Sequence, residues 1–154
     1  MIIRVLRSFV LAGALAAVAL APHEAAAKPA KQLSFMAVLN GGQVVPPSTS
    51  NAMGVGFLTF DNSTKRLCYS ITYSQLLGNE TEAHLHGDAQ PGETSAVLYD
   101  LNPLGTPKVA CLGSALKPNE EVLLKKGRMY IQIHTDIFVA GEIRGQVVPV
   151  PSVR

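Results

Sequence analysis

A chain of 154 residues, with 13 Lys and Arg against 11 Asp and Glu, allows one ordinary domain and carries a net charge of only +2. That balance steers neither nucleic acid nor an anionic membrane toward it. Aromatic residues make up 6% of the chain and no basic run is interleaved with them, which excludes the pattern of a nucleic-acid surface. There is no amphipathic basic helix for a membrane surface either.

Arg4 and Arg7 precede an almost unbroken apolar run from Ser8 to Leu20, and Ala25-Ala26-Ala27 supplies small residues where a signal peptidase needs them. Residues 1–27 are therefore expected to be a secretory signal peptide, with the remainder exported to the periplasm or outside the cell. The run is too short to cross about 30 Å of hydrocarbon at about 1.5 Å per residue, so no membrane insertion is expected after cleavage. No cysteine follows Ala27 directly, which speaks against a lipoprotein. Without the signal, 127 residues remain, with 11 basic and 10 acidic side chains.

Residues 28–31 read as an N-terminal extension, 32–149 as the folded domain and 150–154 as a tail. Leu33, Phe35, Ala37 and Leu39 alternate with Ser34, Met36 and Val38 as a first strand, which Asn40-Gly41-Gly42 breaks. Gln43 to Asn51, with Pro46 and Pro47, reads as a loop crossing between sheets. Phe57 to Phe60 and Leu67 to Tyr73 form a hairpin across the turn Asp61-Asn62-Ser63-Thr64. Val97 to Tyr99 and Lys108 to Leu112 are further short strands. Pro118 to Gly127 reads as one short helix near residues 119–126, capped by Asn119, with two glutamates favouring its positive end. A last hairpin pairs Met129 to Thr135 with Glu142 to Val148. Even spacing of short strands without a βαβ rhythm predicts an all-β antiparallel Greek-key β-sandwich or small barrel.

Glu82-Ala83-His84-Leu85-His86-Gly87 and Ile131-Gln132-Ile133-His134-Thr135 carry the chemistry. Both alternate at period two, so Ala83, Leu85, Ile131 and Ile133 share the buried face and the histidines the other. His84 and His86 then project to the same side, roughly 6.5–7 Å apart. In the closing strand Ile143, Gly145 and Val147 face inward, leaving Glu142, Arg144 and Gln146 outward; Tyr130 and Gln132 join them from the strand before. An exposed patch of His84, His86, His134, Glu142 and Arg144 is the expectation. Three imidazoles are a donor set for copper or zinc, bound at about 2.0 Å. The competing reading is a hydrogen-bonded polar cluster with Glu142 and Arg144 paired to one another. No GxSxG nucleophile elbow is present, and an acid-base pair from Glu142 and a histidine would require a pocket.

Cys68 and Cys111 are an even pair in an exported chain. They read most simply as a disulfide stabilising by roughly 3–4 kcal/mol on the chain-entropy model. A metal thiolate is the alternative, although no CxxC supports it.

Phe35-Met36-Ala37 with Leu39 to Pro47, Leu67-Cys68-Tyr69, Ala83 to Gly87, Ile133-His134-Thr135 and Ala140 to Gln146 resemble, in order, the blocks of the chordin-type CHRD domain family, over about Gln32 to Val148. The family occurs in bacterial exported proteins and in chordin. The resemblance implies an all-β extracytoplasmic module, not known as an enzyme, and a cysteine pair placed like Cys68 and Cys111. Val44 stands where relatives commonly have Glu. A looser likeness is to copper-zinc superoxide dismutase, because His84, His86 and His134 are similar to three of its copper ligands. The chain beyond the signal has no other histidine and so lacks the bridging imidazole and the zinc ligands. The readings are a binding or structural module with a possible copper or zinc site, a dismutase-like enzyme, or an envelope protein-protein interaction module without metal.

Overall fold

The computed structural model describes residues 32–151. The expected signal segment, the 28–31 extension and residues 152–154 of the tail lie outside the described residues. The elements are β1 Gln32–Asn40, β2 Met53–Asp61, β3 Leu67–Ser74, β4 Glu80–Gly87, β5 Val97–Asp100, β6 Lys108–Cys111, α1 Pro118–Lys125, β7 Met129–Thr135 and β8 Ile143–Pro149. All eight strands join one sheet in the order β5-β4-β7-β8-β1-β2-β3-β6, and every neighbouring pair is antiparallel. The anticipated sandwich or barrel is thus a single sheet curled into a half-barrel.

Period-two alternation decides what the curl encloses. Phe35, Ala37 and Leu39 of β1, Leu67, Tyr69 and Ile71 of β3, Ala83 and Leu85 of β4, and Ile131 and Ile133 of β7 all point into one core. Ile143 and Val147 of β8 join them, and Leu124 of α1 is fully buried against the same cluster. Each such aliphatic side chain contributes roughly 1.5–3 kcal/mol on burial, so the phase of every strand is fixed by the same interior.

The edge strands β5 and β6 do not pair, and side chains close the gap between their ends. Lys108 is fully buried, donates to the Pro103 carbonyl at 2.6 Å and pairs with the Glu80 carboxylate. The same carboxylate accepts from the Tyr73 hydroxyl and the Gly105 N–H. Tyr69 on β3 donates across the gap to the Asn102 carbonyl at 2.7 Å. A buried ion pair is tolerated when its remaining atoms are also hydrogen-bonded, as they are here.

Two local expectations are corrected. Pro118 occupies the first position of α1, where its missing N–H costs nothing, so Lys117 rather than Asn119 is the capping residue. Glu120 reaches back to accept from the Lys117 N–H at 2.9 Å. The segment after β1 does not cross between sheets, because β1 and β2 are paired along their whole length. It opens with a 3-10 turn over Gly41–Gln43, capped by Asn40 Oδ1 accepting from Gln43 N–H at 3.1 Å. It then reaches the residue just before β8, where Ser48 donates to the Glu142 carbonyl at 2.7 Å.

Candidate metal centre

The outer face of β4, β7 and β8 carries the site. Register places Glu82 opposite His134, His84 opposite Gln132 and His86 opposite Tyr130, and Gln132 in turn opposite Arg144. His84 therefore occupies the middle row, with His134 one row to one side on the neighbouring strand and His86 one row to the other. Cross-strand and diagonal neighbours of this kind are within reach of ring side chains. The ring centroids of His84 and His134 are 5.0 Å apart and those of His84 and His86 5.6 Å. One ring nitrogen from each residue lies within 4.8 Å of those of the other two.

The expected exposed patch is instead largely covered. His86 is only 7% exposed and the His84 side chain 12%. Glu142 and Arg144, anticipated as outward and solvated, are fully buried or nearly so. Their phase is as expected, but segments after β1, β3, β4 and β7 lie over this face and bury them. Glu142 and Arg144 do not pair. The Glu142 carboxylate accepts from Ser50 Oγ at 2.7 Å, Thr135 Oγ1 at 2.8 Å, Leu77 N at 2.6 Å and Gly78 N at 3.4 Å. Burial raises its pKa, but those donors outweigh burial and hold it below the ordinary value of 4.5.

Arg144 lies with its guanidinium carbon 3.6 Å from the centroid of the Tyr130 ring, a cation-π contact. Its pKa is lowered by burial. Tyr130 also stacks on His86, with ring centroids 4.6 Å apart and planes 3° from parallel. Gln132 reaches the Ala140 carbonyl with its amide nitrogen. Its side chain fills the space where a Cβ on residue 141 would stand, and Gly141 has φ of +115°, so glycine is required there twice over.

Hydrogen bonding fixes which nitrogen of each histidine is free. His86 Nδ1 lies 3.0 Å from the Ser95 carbonyl and His134 Nδ1 2.9 Å from the Val139 carbonyl. A carbonyl only accepts, so each of these nitrogens carries the proton and each Nε2 keeps its lone pair. His84 turns Nε2 toward the Asp100 carboxylate at 3.4 Å and that of Glu82 at 3.9 Å. The nitrogens left over are His84 Nδ1, His86 Nε2 and His134 Nε2, all buried and all without a hydrogen-bond partner. Burial, more than any other cause, lowers the pKa of His84 and His86; the neighbouring imidazoles lower both further, although Glu82, Asp100 and the Ser95 carbonyl pull the other way. Both rings are thus held toward the neutral, ligating form.

The structure brings the three histidines named from the sequence together, with Tyr130 stacked on His86, Gln132 opposite His84 and Arg144 over Tyr130. The Glu142 carboxylate, in contrast, is held by Ser50, Leu77, Gly78 and Thr135. The sequence missed Asp100 and the Ser95 and Val139 carbonyls, which orient the rings. Asp100 faces His84 across β5, a register that no local pattern announces, and backbone carbonyls leave no sequence signal.

The expected disulfide is present between Cys68 on β3 and Cys111 on β6, which are opposite one another in register. No curated protein and no solved structure matches this chain. The family model of the CHRD domain matches residues 35–147, well over half of the sequence, and the chain therefore belongs to the CHRD domain family.

Proposed function

We propose that this is an exported CHRD module that binds one copper or zinc ion through His84 Nδ1, His86 Nε2 and His134 Nε2, without being an enzyme. The observation that carries the reading is that each of these three histidines has one buried, unpartnered ring nitrogen, and that ring nitrogens of the three, one from each, lie within 4.8 Å of one another. Lone pairs held together in a dry site repel one another and lack their hydration, and a soft-to-borderline cation removes both penalties. A three-nitrogen set around an ion at about 2.0 Å needs its nitrogens roughly 3.3–3.5 Å apart. The present spacing is within 4.8 Å, so side-chain rotations of about 1 Å at the ring tips would close the set. The second ring nitrogens already hold carbonyl or carboxylate partners, the arrangement that orients metal-bound imidazoles. Export is supported by the signal-like residues 1–27 and the Cys68–Cys111 disulfide, which persists in oxidising compartments.

Calorimetric titration of chelated protein with Cu(II) and Zn(II) tests this. One equivalent of heat is expected for the natural sequence, with loss of at least about 100-fold in affinity in His84→Ala and His134→Ala. Unchanged heats in both variants would overturn the site. Superoxide turnover by the copper-loaded protein no faster than by free copper is expected.

A further inference from the structure

A second feature of the outer face is Arg144, on the strand next to the histidines, which packs on the same Tyr130 ring as His86. Arg144 is 1% exposed, yet it pairs with no carboxylate among the described residues. Its Nη2 makes two long bonds, 3.3 Å to the Gln90 carbonyl and 3.4 Å to Gln146 Oε1, and its Nη1 is buried with no partner at all. A guanidinium does not discharge by losing its proton, so a buried one without an anion is a standing electrostatic cost. Arg144 and Gln146 line a cleft of about 390 Å³ together with Val44 and Pro47 from the segment after β1 and Pro91 and Gly92 from the segment after β4. Volumes of roughly 300–1,000 Å³ suit small molecules.

We propose that this cleft binds a small aliphatic monocarboxylate, with its carboxylate on the Arg144 guanidinium and its apolar body between Val44, Pro47 and Pro91. The planar fork of a guanidinium matches a carboxylate two bonds at a time. No second cation lines the cleft, so a singly charged anion fits better than a dianion, and the apolar walls exclude a strongly hydrated one. Val44, itself 3% exposed, lines the same cleft as Arg144. A peptide chain end offers the same carboxylate chemistry as a free acid.

The test is a thermal-shift and NMR titration of protein kept in chelator, so that no histidine-bound ion can take the carboxylate. Sodium butyrate is compared with butyramide at matched ionic strength, and trialanine with its C-terminal amide. The expected result is a saturable response to butyrate, to the peptide acid or to both, with none to the amides; the stronger responder separates a free acid from a chain end. Arg144→Gln should weaken the response by about tenfold or more. Val44→Glu, which supplies the cleft with its own carboxylate, should abolish it while Arg144 stays in place. Equal responses to acid and amide in the natural protein, or an undiminished response in folded Val44→Glu, would overturn the assignment.

Discussion

Glu142→Gln removes the charge from a buried carboxylate that ties two loops, those after β1 and β3, to the strand carrying His134. Ser50 and Leu77 donate to Oε1, and Thr135 and Gly78 to Oε2. An amide nitrogen in place of Oε2 cannot accept. The Gly78 N–H is then left without its partner and the Thr135 hydroxyl must turn away, while the two bonds to the remaining oxygen fall from charge-assisted to neutral strength. Together these changes cost about 2–3 kcal/mol, or about 8–12 °C in melting midpoint for a domain of this size. Thr135 Oγ1 also accepts from the Phe138 N–H at 3.1 Å, one residue before the carbonyl that orients His134, so metal affinity should fall about tenfold. Urea denaturation of the chelated protein reads the first effect and calorimetry the second. The pH profile adds a signature: Glu142 titrates below its ordinary value of 4.5 when folded. Its contribution is therefore present above that value, disappears as pH falls below it, and is absent from the Gln variant. A stability loss under about 0.5 kcal/mol, with an unaltered acid profile, would refute this account of the network.

Two further outcomes follow from the same structure. His84 and His86 have folded pKa values lowered from 6.5, so the unfolded chain binds more protons than the folded one just below that pH. The metal-free domain should lose stability as pH falls through 6.5 and downward, and His84→Gln should flatten that slope in urea melts at successive pH values; a slope of the opposite sign would contradict the burial of neutral rings. Cys68 and Cys111 are separated by 43 positions; Cys68→Ala with Cys111→Ala should lower stability by about 3–4 kcal/mol. Equal denaturation midpoints for oxidised and variant protein would show that the crosslink does not constrain the unfolded chain.

The residues of the family blocks acquire distinct duties once they are placed. Asn40 caps the turn over Gly41–Gln43, and Gln43 bonds to the Val38 carbonyl and accepts from Gln146 N–H. Gln146 in turn donates to the Ala89 and Gly127 carbonyls, fastening the loops that cover the outer face. Much of the motif set is thus scaffolding for a polar layer outside the sheet.

Strand positions, inward and outward phase, the pairing of Cys68 with Cys111 and the shared face of His84, His86 and His134 were all legible in the sequence. Each depends on period-two alternation or on residue chemistry, which are properties of a few neighbouring positions. What tertiary structure alone decided is the environment of that face. Glu142 and Arg144 point outward as their phase requires, but loops from β1, β3, β4 and β7 cover them and turn an expected solvated patch into a buried layer. The choice of free nitrogen on each imidazole was decided in the same way, by Ser95, Val139 and Asp100 at the rims of other elements. Burial and hydrogen-bond partnership are set by chain segments distant in sequence, and alternation along one strand carries no record of what the fold lays over it.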